Sequence, residues 1–150
     1  SVIEQSMTGT WTYSKQEAAV SMPDFNVFHR YAANYPWHSH AVWTLTQMVR
    51  WGQIDQAIDF KKVAASVYLA DVYREAAAEL DIAAPTTNFK SEGIHANAWT
   101  LKEATKPIDM GPDQFFDGIQ FNPHEPVQYL SNFPIHTRQI ALADLAKKTT

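Results

Sequence analysis

Two histidines, His38 and His40, flank Ser39 directly after Trp37 and just ahead of an apolar periodic run. Imidazoles can ligate a metal or relay a proton. At i, i+2 across a helix start they point in different directions, and neither an HExxH pattern nor a carboxylate triad accompanies them. A helix N-terminus offers other chemistry: its free backbone N–H groups and the positive end of its dipole make a natural seat for a small anion. Trp37, His38, Ser39 and His40 are therefore the candidate ligand-binding residues, with ordinary capping by Ser39 as the competing use. Neither a metal nor a cofactor is expected.

The other histidines, His29, His95, His124 and His136, stand singly in turn-like or unassigned stretches and read as surface or core residues. The carboxylates Asp109, Asp113, Asp117 and Glu125 are spread over turns, where capping and solvation account for them better than paired acid–base work. The chain has no GxSxG, no P-loop, no GxGxxG and no cysteine, so the common covalent, phosphoryl and hydride chemistries lack their minimal parts. No enzyme is expected. A net charge of -4 with scattered basic residues argues against nucleic acid, which needs a concentrated basic face.

The elements that must position these residues follow from pattern. Across 150 residues that are 45% hydrophobic there is material for one sizeable core, and no apolar run long enough to span a membrane. The expected organisation is a single unit: a loop-rich opening over 1–34, a helical core over 35–84, and an irregular segment with a terminal helix over 85–150. Pro36 holds Tyr35 extended, and Ala41, Val42, Leu45, Met48 and Val49 recur at helical spacing up to Gly52, which predicts a helix of about three turns. Asp59 is a plausible cap for a second helical run, Phe60 to Leu80, with a break at Tyr68 and Leu69, Arg74 and Glu75 facing solvent, and a stop at Ala84 and Pro85. Five prolines between Pro85 and Pro126 leave room for brief strands, turns and one short helix, wrapped on a core supplied from elsewhere. A short helix over Val127–Ser131 and a terminal one over Thr137–Lys147 complete the reading. The fold class is mainly α with irregular, Pro-rich segments and few short strands.

The run from Asn34 to Gly52, NYPWHSHAVWTLTQMVRWG, then Asp59-Phe-Lys-Lys, then Leu69-Ala-Asp-Val-Tyr-Arg-Glu-Ala76, and later Phe116-Asp-Gly-Ile-Gln-Phe-Asn-Pro123, resembles the C-terminal region of nitrate- and bicarbonate-binding proteins of the NrtA/CmpA type. The likeness covers roughly Phe28 to Leu130. It implies a C-terminal fragment of a type II periplasmic-binding-protein α/β fold, two lobes with the anion between them. It also implies an oxyanion ligand (nitrate, nitrite or bicarbonate), a periplasmic location, and as partners the membrane subunits of an ABC transporter or the remaining lobe of the same protein. An exposed apolar face or a homo-oligomer would then cover the site of the absent lobe. Where such proteins often carry a basic pair after the proline, Trp37 and His38 stand here. A histidine gives weaker, pH-dependent charge, which is compatible with the related cytoplasmic nitrate sensors as an alternative. A further variant fuses such a domain to the transporter ATPase. The start at Ser1, without an initiator Met, fits a fragment or processed chain.

Overall fold

In a computed structural model of the chain, residues 2–23, 25–27 and 30–149 are described. The chain divides into two compact units, 1–34 and 35–150, where the sequence reading has one unit with a loop-rich opening. The first unit begins with a helix, α1 (Val2–Thr8), that the pattern does not announce. It ends at Gly9, whose φ of 67° and whose position, with a Cβ placed only 2.7 Å from the Met22 carbonyl oxygen, admit no side chain. Gly9 leads into β1 (Thr10–Trp11), which pairs antiparallel with β2 (Val20–Ser21), and Trp11 packs on Phe25 at 4.7 Å between ring centroids. A 3-10 turn, Arg30–Ala32, follows. His29 lies outside the described residues.

The second unit is built around α2 (His38–Arg50). Its inward face presents Ala41, Val42, Thr46 and Val49, all buried; Thr46 satisfies its hydroxyl on the Trp43 carbonyl at 2.6 Å, as a buried hydroxyl must. The helix closes in a Schellman motif: Gly52 N–H donates to the Val49 carbonyl and Gln53 N–H to the Met48 carbonyl, with Gly52 left-handed at φ 70°. α3 (Phe60–Val67) is capped by Asp59, whose carboxylate accepts from Lys62 N at 3.0 Å. The expected break at Tyr68 and Leu69 is present, and α4 (Ala70–Glu79) follows. α4 stops before Ala84 and Pro85, because Asp81 takes a left-handed φ of 53° while its N–H and that of Ile82 close on the Ala78 and Ala77 carbonyls.

Two expectations about α4 and the C-terminus are corrected. Arg74 does not face solvent: it donates to the Pro85 carbonyl at 2.8 Å and also to Tyr35 and Asn88. The terminal helix is only α6 (Leu142–Ala146), because Thr137 N–H is drawn to the Arg50 carbonyl at the end of α2, which keeps 137–140 non-helical.

Between these helices the Pro-rich segment forms one hairpin, β3 (Trp99–Leu101) with β4 (Ile108–Met110), in the register Trp99↔Met110 and Leu101↔Ile108. Isolated bridges join Pro85 to Ala104 and Glu92 to Phe121. Of this segment Phe121 joins the buried core cluster, whose other members come from the helices and the C-terminal residues. Phe121, with Tyr129 and Leu130 of α5 (Pro126–Ser131), and with Ile140 and Leu145, joins Val42, Val49, Phe60 and Ala64 in one cluster. α2 packs on α3 and α5, and α5 on α6. The unit is helix-rich with one small antiparallel sheet, as the mainly-α reading expects.

Candidate ligand-binding site at the start of α2

Pro36 and the extended backbone of Trp37 (φ -61°, ψ 118°) deliver the chain to the first turn of α2. The four candidate residues are placed together but unequally. Trp37, His38 and Ser39 are buried, whereas the His40 side chain is 45% exposed. Ser39 is not the cap: Trp37 holds that position with no capping bond from its side chain, and Ser39 Oγ instead accepts from Lys90 N at 3.3 Å. The helix start is not an open anion seat either, since His38 N–H donates to the Asn88 carbonyl at 2.9 Å and those of His40 and Ala41 close on the Trp37 carbonyl. The segment Asn88–Glu92 occupies the ground where free N–H groups are expected.

Each imidazole has a defined partner. His38 Nε2 lies 2.9 Å from the Tyr68 carbonyl; because a carbonyl only accepts, the proton is on Nε2. This bond ties the first turn of α2 to the break between α3 and α4, and the His38 ring meets Phe89 edge-on at 5.5 Å. His40 Nε2 lies 2.8 Å from Glu92 Oε1, and Lys90 Nζ donates to the same carboxylate oxygen. The Lys90 and Glu92 side chains are only 12% and 11% exposed, and the Lys90 ammonium stands 5.5 Å from the centre of the Trp37 ring, a cation–π arrangement. Lys90 and Glu92 are opposite in charge, and His40 completes the trio on the same carboxylate oxygen.

Behind this trio, Tyr35 packs edge-on against Trp37 and Tyr73 at 4.8 and 5.3 Å. Burial pushes the Tyr35 hydroxyl above the ordinary phenol value, against the pull of Arg74. It therefore stays a donor, to the Thr87 carbonyl at 3.1 Å or Asn88 Oδ1 at 2.9 Å. Sequence reasoning misses Lys90, Glu92 and Asn88 because their segment has no period; a Lys and a Glu two apart between apolar residues is the only signal there.

The remaining histidines divide. His124 sits against Phe89 at 5.3 Å and His136 beside Arg138 at 3.3 Å. His95 is not solitary: its ring stacks on Trp99 at 3.9 Å and 8°, and Asp113 grips both its Nδ1 at 2.7 Å and its backbone N at 2.8 Å. Burial raises the Asp113 carboxyl, but the hydrogen bonds and charge of His95, helped by Lys90, outweigh it and hold the group below the usual carboxylate value. Of the dispersed carboxylates, Asp117 and Glu125 make local turn bonds, to Ile119 N and Asn122 Nδ2. Among the described residues no group of three or more His, Cys, Asp or Glu is placed to hold a metal ion, and no helix is long and apolar enough to cross a membrane.

No protein-family model matches the chain. The nitrate import ATP-binding protein NrtC of Synechocystis sp. is 31% identical over 125 residues, which is 81% of this chain and 15% of that protein. The nitrate/nitrite binding protein NrtA of the same organism is 34% identical over 104 residues, 69% of this chain and 19% of that one. The crystal structure of the periplasmic nitrate-binding protein NrtA from Synechocystis matches with a TM-score of 0.58 and 25% identity, over 87% of this chain and 30% of that one. The chain thus resembles NrtA-type proteins in sequence and in fold, as the run from Asn34 to Gly52 leads one to expect, and it spans under a fifth of the length of these two curated relatives.

Proposed function

We propose that this chain is the C-terminal portion of a solute-binding protein for a small oxyanion (nitrate, nitrite or bicarbonate) that serves an ABC-type uptake system in the periplasm. The observation that carries this reading is the coincidence of two likenesses on one stretch of chain, to NrtA in sequence and to the NrtA crystal structure in fold. It is a reading of binding and not of catalysis. In it, the chain supplies part of a two-lobed type II architecture, and the partners are the anion, the rest of the same protein and the transporter's membrane subunits.

Within that architecture the start of α2 is the anion-facing element. His40, the exposed member of the four, makes the contact, beside the Lys90–Glu92 pair of opposite charges. Trp37, His38 and Ser39, being buried, hold its backbone in place. A thermal-shift screen of the whole protein against the three oxyanions, with chloride as control, tests the reading. A ligand present at 100 times its Kd stabilises by about 2.7 kcal/mol, so the melting temperature rises by several degrees with at least one of them. Identical melting curves with all three would refute it.

A second reading has its own support. The match to NrtC extends over 81% of this chain against 69% for NrtA. This favours the arrangement in which the same domain is attached to the transporter's ATP-binding subunit. A phosphate-binding nucleotide motif in the same reading frame would establish it, and an uninterrupted binding-protein sequence upstream would rule it out.

A further inference from the structure

A cavity of about 410 Å³ opens between the outer face of α2, the loop 115–119 and the end of α5. Its walls are the rings of Trp43, Phe115, Tyr129 and Phe133, and two side chains of opposite charge, Arg50 and Asp117, line it as well. Arg50 and Asp117 form no ion pair with each other or with any other described residue. The Arg50 guanidinium is steered by neutral groups alone: Nε donates to the Ile135 carbonyl at 3.0 Å and Nη1 to Gln47 Oε1 at 3.5 Å, and the charge lies 3.9 Å from the centre of Phe133 and 4.6 Å from that of Trp51. Asp117 uses one oxygen on Ile119 N and keeps the other. Tyr129 accepts the Trp43 indole N–H at 2.9 Å, so its own hydroxyl proton remains to be given.

We propose that this cavity binds a free aromatic α-amino acid, with the ring between the aromatic walls, the carboxylate on Arg50 and the ammonium on Asp117. The volume falls at the lower end of the range for small-molecule sites, roughly 300–1,000 Å³, which are typically apolar and aromatic with a few convergent polar groups. A planar guanidinium is the best partner for a carboxylate, which it meets at two points. Burial pushes the Tyr129 hydroxyl above the ordinary phenol value, so it too meets the ligand as a donor. An aromatic residue inside a peptide lacks both end charges and would leave Arg50 and Asp117 as they are, so the zwitterion is the occupant that satisfies both. The site shares no residue with the start of α2 and stands independently of the oxyanion reading.

Titration of the chain with L-phenylalanine, 3-phenylpropionate and phenethylamine, followed by calorimetry and Trp43 indole N–H chemical shift, tests the proposal. An ion pair at a partly exposed position is worth up to about fivefold in affinity, so L-phenylalanine binds several-fold tighter than either singly charged analogue. Asp117→Asn, at an exposed position, brings L-phenylalanine and 3-phenylpropionate to equal affinity, and Arg50→Gln weakens L-phenylalanine several-fold. No saturable binding of L-phenylalanine overturns the proposal, as does equal affinity for all three compounds or discrimination unchanged in Asp117→Asn.

Discussion

At the scale of single residues, the second unit is held by a few polar groups that each bind several segments. Arg74 is the clearest case, since one guanidinium serves Tyr35, the Pro85 carbonyl and Asn88. Arg74→Met leaves the Pro85 carbonyl without this donor in a largely buried place and takes one donor each from Tyr35 and Asn88. The expected loss is about 3 kcal/mol in urea unfolding, from three lost hydrogen bonds at about 1 kcal/mol each. Asp113 gives a pH dependence. Its folded carboxyl lies below the unfolded value of about 3.9, held there by His95. Its stabilising contribution is therefore complete above that value and disappears as the pH falls through the lower folded one. Asp113→Asn should flatten the acid limb of the stability curve, measured as melting temperature against pH; an unchanged limb would show that the clasp contributes nothing.

At the scale of elements, the legible part of the fold is the part with period and punctuation. α2 shows itself in the spacing of Ala41, Val42, Leu45 and Val49 and in the stop at Gly52; α3 in the cap Asp59; the break at Tyr68 in a shift of the apolar stripe. What cannot be read is decided by distant partners. Nothing local says that 137–140 must run beside the end of α2 instead of coiling, or that Asn88 should take the N–H of His38. The same cause hides half of the candidate site, for Trp37–His40 is visible as a motif while Lys90 and Glu92 reach it only through the folded chain. Two substitutions test the punctuation. Asp59→Ala removes the α3 cap and should cost about 1 kcal/mol. Gly52→Ala puts a Cβ into a left-handed position 3.2 Å from the Thr137 carbonyl oxygen, and chemical denaturation should show a loss of about 1–2 kcal/mol.

At the scale of the whole molecule, the second unit has a buried core of its own, yet leaves Val67, Leu69 and Val72 well exposed around the α3–α4 junction. In the function we propose, this architecture captures a small oxyanion with His40 at the contact. Calorimetric titration of the whole protein with nitrate, nitrite and bicarbonate at low ionic strength tests it most directly. At least one of them should bind saturably at a single site, more weakly in His40→Ala; silence toward all three, or binding indifferent to His40, would rule this function out.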